Sequence, residues 1–120
     1  MKRETAIKNI RQIVSRLEKC RGIIETKGAG IYDGFMVDRL YVFGSTAKGS
    51  QNPNDIDLLI SGRGVNGNKN PYGEHSFDVA MKKLRKGMKM VRFHEEYVDG
   101  AFGDIAETKI MIWPDCHFEE

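Results

Sequence analysis

Asp55 and Asp57 stand two positions apart at the start of an apolar run, Asp55-Ile56-Asp57-Leu58-Leu59-Ile60. On an extended strand, alternate side chains leave the same face. Both carboxylates therefore point one way, and Ile56 and Leu58 point the other, towards a core. Two like charges held this close repel, and a divalent cation between them removes the conflict. Hard oxygen donors suit Mg2+ or Mn2+, which keep open positions for substrate phosphates. Gly44-Ser45, at the end of a hydrophobic stretch, precedes Asp55 with nine residues between them. Glycine lets the backbone approach an anion closely. The Ser45 hydroxyl and the amides after it can donate to phosphate oxygens if a helical turn starts there, and Lys48 adds a positive charge. One loop thus offers phosphate donors and the next strand offers metal ligands. That is the equipment for in-line phosphoryl or nucleotidyl transfer from a metal-bound triphosphate. The bland alternative is a glycine turn followed by a solvated acidic strand edge.

Several elements must position these residues. Ala6, Ile10, Ile13, Leu17, Cys20 and Ile24 repeat at helical spacing, which predicts one amphipathic helix over 2–27 with Gly28 as its C-cap. Its stripe suits a core face, and a homodimer through this helix is the other use for it. Gly28 to Phe35 reads as a loop, Val37 to Phe43 as a strand, Thr46 to Asn54 as a short polar connection and Asp55 to Ile60 as a second strand. Residues 62–73 carry four glycines and three asparagines, which predicts a flexible loop with nothing to bury. Phe77, Ala80, Met81 and Leu84 predict a second helix over about 75–86. Met90 to His94 and Thr108 to Trp113 predict two more strands. The expected fold class is α+β, a small mixed sheet of about four strands packed against a long N-terminal helix and a second helix, in one domain over 1–120.

The stretch Val42-Phe43-Gly44-Ser45-Thr46-Ala47-Lys48-Gly49, followed by Asn52-Pro53-Asn54-Asp55-Ile56-Asp57-Leu58-Leu59-Ile60, resembles the signature of the nucleotidyltransferase superfamily related to DNA polymerase β. That signature is Gly-Ser, about ten residues, then Asp-x-Asp on the next strand. The resemblance is carried by residues 40–60. It implies that Gly44 and Ser45 hold the β- and γ-phosphates of an NTP and that Asp55 and Asp57 ligate the metals. It also implies a third carboxylate on a later strand, and a product in which a hydroxyl acceptor carries NMP after pyrophosphate leaves. The chain departs from the pattern at the third carboxylate. On the strand after the second helix, Arg92 and His94 share the face where that acid is expected, and the last strand has no acid in its middle. Glu107, ahead of the last strand, ranks first among the substitutes, with Glu95 and Asp104 behind it. His94 is an alternative metal ligand or base. Without any of these, the chain would be a catalytically degenerate nucleotide-binding or adaptor module. Stand-alone minimal members of this family often pair with a small helical protein, which makes such a partner an implied acceptor.

Composition narrows the setting. The 120 residues are 40% hydrophobic and 30% charged with mean hydropathy -0.47, a soluble globular composition. Nothing in the sequence is apolar for long enough to span a bilayer, and no export signal is expected after Met1. Cys20 and Cys116 are too few for a disulfide framework and lack zinc spacing, so a cytoplasmic location is expected. The net charge of +2 hides an asymmetry: residues 1–94 carry 18 basic and 9 acidic groups, and residues 95–120 carry 1 and 8. The basic run from Lys82 to Lys89 is able to line a nucleic-acid path, but it lacks interleaved aromatics and fits a solvated helix face whose last turn favours cations. Trp113 reads as an edge-strand core residue or, from its outward face, a stacking platform.

Overall fold

The N-terminal stripe folds as a helix, but a shorter one than its periodicity predicts. In the computed structural model, which describes residues 1–26, 34–65, 74–96 and 107–118, α1 spans Arg3–Cys20 and buries Ala6, Ile10, Ile13 and Leu17. The chain leaves the helix at Arg21, in the left-handed region at φ 55, and Gly22, at φ 80. The Gly22 amide donates to the Leu17 carbonyl and the Arg21 amide to the Glu18 carbonyl, so the last orphan carbonyls are satisfied in a glycine-terminated cap. Ile24, predicted as the end of the helical stripe, lies instead on a short strand, β1 (Ile23–Glu25), where it alone of the three is buried. Gly22 is the reason. A Cβ there would meet the Trp113 ring at 3.2 Å and the Val37 carbonyl at 3.3 Å, a tightness that fits glycine at a φ only glycine adopts readily.

Two long strands form the centre of the sheet. β2 (Gly34–Phe43) and β3 (Ile56–Val65) pair antiparallel from Gly34↔Val65 to Phe43↔Asp57. Residues 62–65, predicted as the start of a loop, are therefore strand, and residues 66–73 lie outside the described residues. Gly62 has a packing role: a Cβ there would stand 2.4 Å from the Met36 carbonyl and 2.6 Å from the Phe35 ring. Phe35, itself fully buried, lies across the gap it leaves. Gly34 and Phe35 are likewise strand rather than loop.

The remaining elements complete one mixed sheet. α3 (Glu74–Leu84) carries the chain from β3 to β4 (Val91–Glu95), which pairs parallel to β3, as a helical crossover requires. β5 (Ile110–Trp113) pairs antiparallel with Leu40–Val42 of β2, and β1 pairs with Gly34–Met36. β1 and β5 thus share one edge of β2, and the sheet has five strands where about four were expected. The fold is α+β, as expected.

The helices cover one face. Ile24, Phe35, Val37, Leu40, Val42, Ile56, Leu58, Ile60, Val91 and Ile112 join the α1 stripe and Ala80, Met81 and Leu84 of α3 in one core. A register shift between Val37 and Arg39 explains how Val37 and Leu40, three apart, both reach it. A bulge adds one residue and exchanges the two faces beyond it. After the bulge Leu40 and Val42 face the helices, while Tyr41 and Phe43 face the opposite side with Asp57.

Candidate active site

The open end of the sheet is built by the residues between β2 and β3. β2 ends at Phe43, and Gly44 turns the chain at φ 72 into a single helical turn, α2 (Gly44–Ala47), with no side-chain cap at its start. The Lys48 amide closes the turn on the Gly44 carbonyl. A Cβ at Gly44 would stand 3.2 Å from Asp57 Oδ2, so the turn and the second aspartate are in near contact. Thr46, fully buried, donates from Oγ1 to the Asp55 carbonyl at 3.3 Å. These two links fix the Gly-Ser turn against the start of β3. Ser45 is half-buried on the turn, and Lys48 is exposed at its end.

Ile56 and Leu58 are buried in the core, which turns Asp55 and Asp57 to the other face. Their side chains are 17% and 26% exposed, enough to be reached from solvent yet partly shielded. Asp55 Oδ1 is buried and has no hydrogen-bond partner among the described residues. An unsatisfied buried carboxylate oxygen is costly, and a cation ligand is what such an atom lacks. The donor set fits the metal this chemistry needs. Mg2+ is commonly held by one or two carboxylates, with water and substrate phosphates filling its other positions. Among the described residues no group of three or more His, Cys, Asp or Glu side chains forms a closed cage, so the fit is to a metal that arrives with its own oxygen ligands.

Arg92 and His94 of β4 stand beside the two aspartates. Asp57 pairs in register with Arg92 of β4. Arg92 Nε lies 3.5 Å from Asp55 Oδ2, and His94 Nε2 lies 3.4 Å from Asp57 Oδ1. Phe43 packs edge-on against the His94 ring, centroids 5.2 Å apart, which orients the imidazole. Val91 and Phe93 pack on the core side, as their alternation predicts. Glu107 is exposed and lies ahead of β5, a strand that β2 separates from β3. Glu95 is next to His94 on β4, and by alternation its side chain leaves the opposite face. Asp104 lies outside the described residues. Trp113 packs against the core and donates from Nε1 to the Val37 carbonyl at 3.2 Å, so it is an edge-strand core residue and not a stacking platform. Sequence reasoning passed over Thr46 and Phe43 as site-building residues. Only the register shift in β2 reveals that Phe43 turns to the site.

Comparison with protein families agrees with this geometry. The family model of the nucleotidyltransferase domain matches residues 7–102. The chain belongs to the nucleotidyltransferase-domain family. The match runs from α1 past the end of β4 and includes the Gly-Ser turn, both aspartates, Arg92 and His94, and it leaves β5 and Glu107 outside. No curated protein and no solved structure matched the chain. Nucleotidyl transfer is accordingly the general chemistry of this nucleotidyltransferase domain. No helix among the described residues is long and apolar enough to cross a membrane.

Proposed function

We propose that this domain transfers NMP from a metal-bound NTP to a hydroxyl acceptor. The observation that carries the proposal is the near contact of the Gly44 turn with Asp57, beside the buried, unpartnered oxygen of Asp55. Asp55 and Asp57 would hold Mg2+ or Mn2+, which supplies Lewis-acid polarisation of the phosphate oxygens. Gly44 lets the polyphosphate approach the backbone, and the Ser45 hydroxyl and the first amides of α2 donate to its terminal oxygens. Lys48 adds charge at the far end of the turn. In the reaction the acceptor oxygen forms a bond to the α-phosphorus, the bond from that phosphorus to the bridging oxygen breaks, and pyrophosphate leaves. The hydroxyl proton passes to His94, which the structure holds beside Asp57. Glu107, from the exposed segment before β5, is the carboxylate alternative for that role. The acceptor hydroxyl is sought on a small helical protein or a second copy of this chain, with nucleic acid a further class.

A second reading rests on Arg92 and His94 themselves. Where a third carboxylate would add a metal ligand, β4 places the Arg92 guanidinium and the His94 imidazole instead, which suits a module that binds nucleotide without turning it over. One experiment separates the readings. NTP binding is measured with Mg2+ and with EDTA, and pyrophosphate release is measured with candidate acceptors. Transfer predicts metal-dependent binding lost in Asp55→Ala and Asp57→Ala, and release lost in His94→Ala while binding persists. Binding that ignores EDTA and both aspartate variants refutes the metal site. Metal-dependent binding without release for any acceptor class supports the module.

A further inference from the structure

We infer that Arg92 is a polyphosphate-binding residue that makes metal and nucleotide bind to this site together and disfavours the metal ion alone. The inference deepens the metal-nucleotide reading above and rests on it. Arg92 lies on β4 as the register partner of Asp57, with its side chain 64% exposed and only Nε turned to Asp55, at 3.5 Å. A guanidinium is planar and carries five donors in a fixed fork that matches phosphate oxygens two at a time. Nε–H is one of the five, so the fork's outer edge remains for a ligand reaching the site from solvent. His94 shares the face of Arg92 and is held by Asp57 and Phe43, and Arg92 is the more exposed of the two, 64% against 35%.

The charges explain why such a cation belongs next to metal ligands. Asp55 and Asp57 bring two negative charges and Arg92 one positive. A divalent ion entering alone leaves the pocket with a surplus positive charge held against Arg92, which like-charge repulsion disfavours. A polyphosphate entering with the metal neutralises that surplus and gains a charge-assisted, two-point contact with the guanidinium. Each ligand therefore raises the affinity of the other, a coupling that is reciprocal by linkage.

The test measures two affinities in the wild type, Arg92→Ala, Arg92→Gln and Arg92→Lys. One is for Mn2+ alone. The other is for an ATP analogue with a methylene bridge between its α- and β-phosphorus atoms, at saturating Mn2+. Removing the guanidinium should tighten Mn2+ alone by roughly threefold, the scale of an exposed ion pair. It should weaken the nucleotide by roughly tenfold or more, the scale of a charged hydrogen bond. Arg92→Lys keeps the charge but loses the fork, so it should hold Mn2+ like the wild type and bind nucleotide with intermediate affinity. The opposite signs are the signature, because a merely structural side chain would move both affinities the same way. Arg92→Gln, close in size and uncharged, reproduces the Ala result if charge is the cause. Wild-type nucleotide binding that needs Mn2+ but is unchanged in Arg92→Ala and Arg92→Gln overturns this inference and leaves the metal site standing. So does loss of both affinities together. A wild type that binds no metal nucleotide overturns both.

Discussion

Gly44 is where the fold and the chemistry meet, and replacing it separates their contributions. At φ 72 an alanine suffers the clash of its Cβ with the backbone, about 1–2 kcal/mol. For a chain of 120 residues, that lowers the melting temperature by about 4–8 °C. The same Cβ would stand 3.2 Å from Asp57 Oδ2, so the carboxylate must yield by a few tenths of an ångström. A carboxylate at the end of a side chain yields readily, so the contact adds little to the stability loss. It does move the proposed metal ligand and fill the space that the proposed phosphate would use. Gly49 is the matched control. It has φ 90 but meets nothing within 4 Å, so Gly49→Ala carries the backbone strain without the site contact. Urea denaturation should give similar losses for the two variants. Titration with Mn2+ and nucleotide should weaken at least tenfold in Gly44→Ala and stay within about twofold of wild type in Gly49→Ala. Equal ligand affinities in the two variants would refute the argument that the turn is packed against Asp57 for function.

Two further outcomes follow from the packing. Gly62→Ala should cost about 3 kcal/mol in denaturant unfolding, because the new Cβ would meet the Met36 carbonyl, which belongs to the paired backbone, as well as the Phe35 ring. The Arg16 guanidinium donates to the carbonyls of Leu84 at 2.7 Å and Lys86 at 2.9 Å, and more weakly to that of Lys83, so it closes the C-terminal end of α3. Arg16→Ala should lose about 1–2 kcal/mol, and amide exchange in the last turn of α3 should quicken ahead of the rest of the core.

The parts of this molecule that chemistry dictates were the most legible in its sequence. Gly44-Ser45 and Asp55-Ile56-Asp57 stand out as candidates because a phosphate turn and a metal pair require particular residue types at a particular spacing, and the fold brings the turn within near contact of Asp57. The alternation that sends Ile56 and Leu58 inward also sends the aspartates outward. Legibility failed where one pattern fits two structures. Ile24 continues the helical period of α1 and equally suits a three-residue strand, and only Gly22, wedged under Trp113, decides between them. Gly62 resembles a loop residue because a glycine's packing partner is invisible in its own identity; the partner here is Phe35, 27 residues earlier in the chain. The two faces of β2 were illegible for a related reason. A strand with a bulge holds two alternations of opposite phase, and a single reading of Val37 to Phe43 hides the point at which Phe43 turns to His94.

Arg3 gives the N-terminal helix a second consequence. Its guanidinium donates to the carbonyls of Thr46 at 3.1 Å and Ser50 at 3.3 Å, its amide donates to the Gln51 carbonyl, and its charge lies over the Phe118 ring at 5.5 Å. The first turn of α1 and the end of the last described segment are thereby clasped to the backbone of the loop that would cradle the nucleotide. An affinity tag, a fused protein or a binding partner attached near Arg3 or Phe118 pulls on that clasp, and its effect reaches the proposed nucleotide turn without touching any of the proposed site residues.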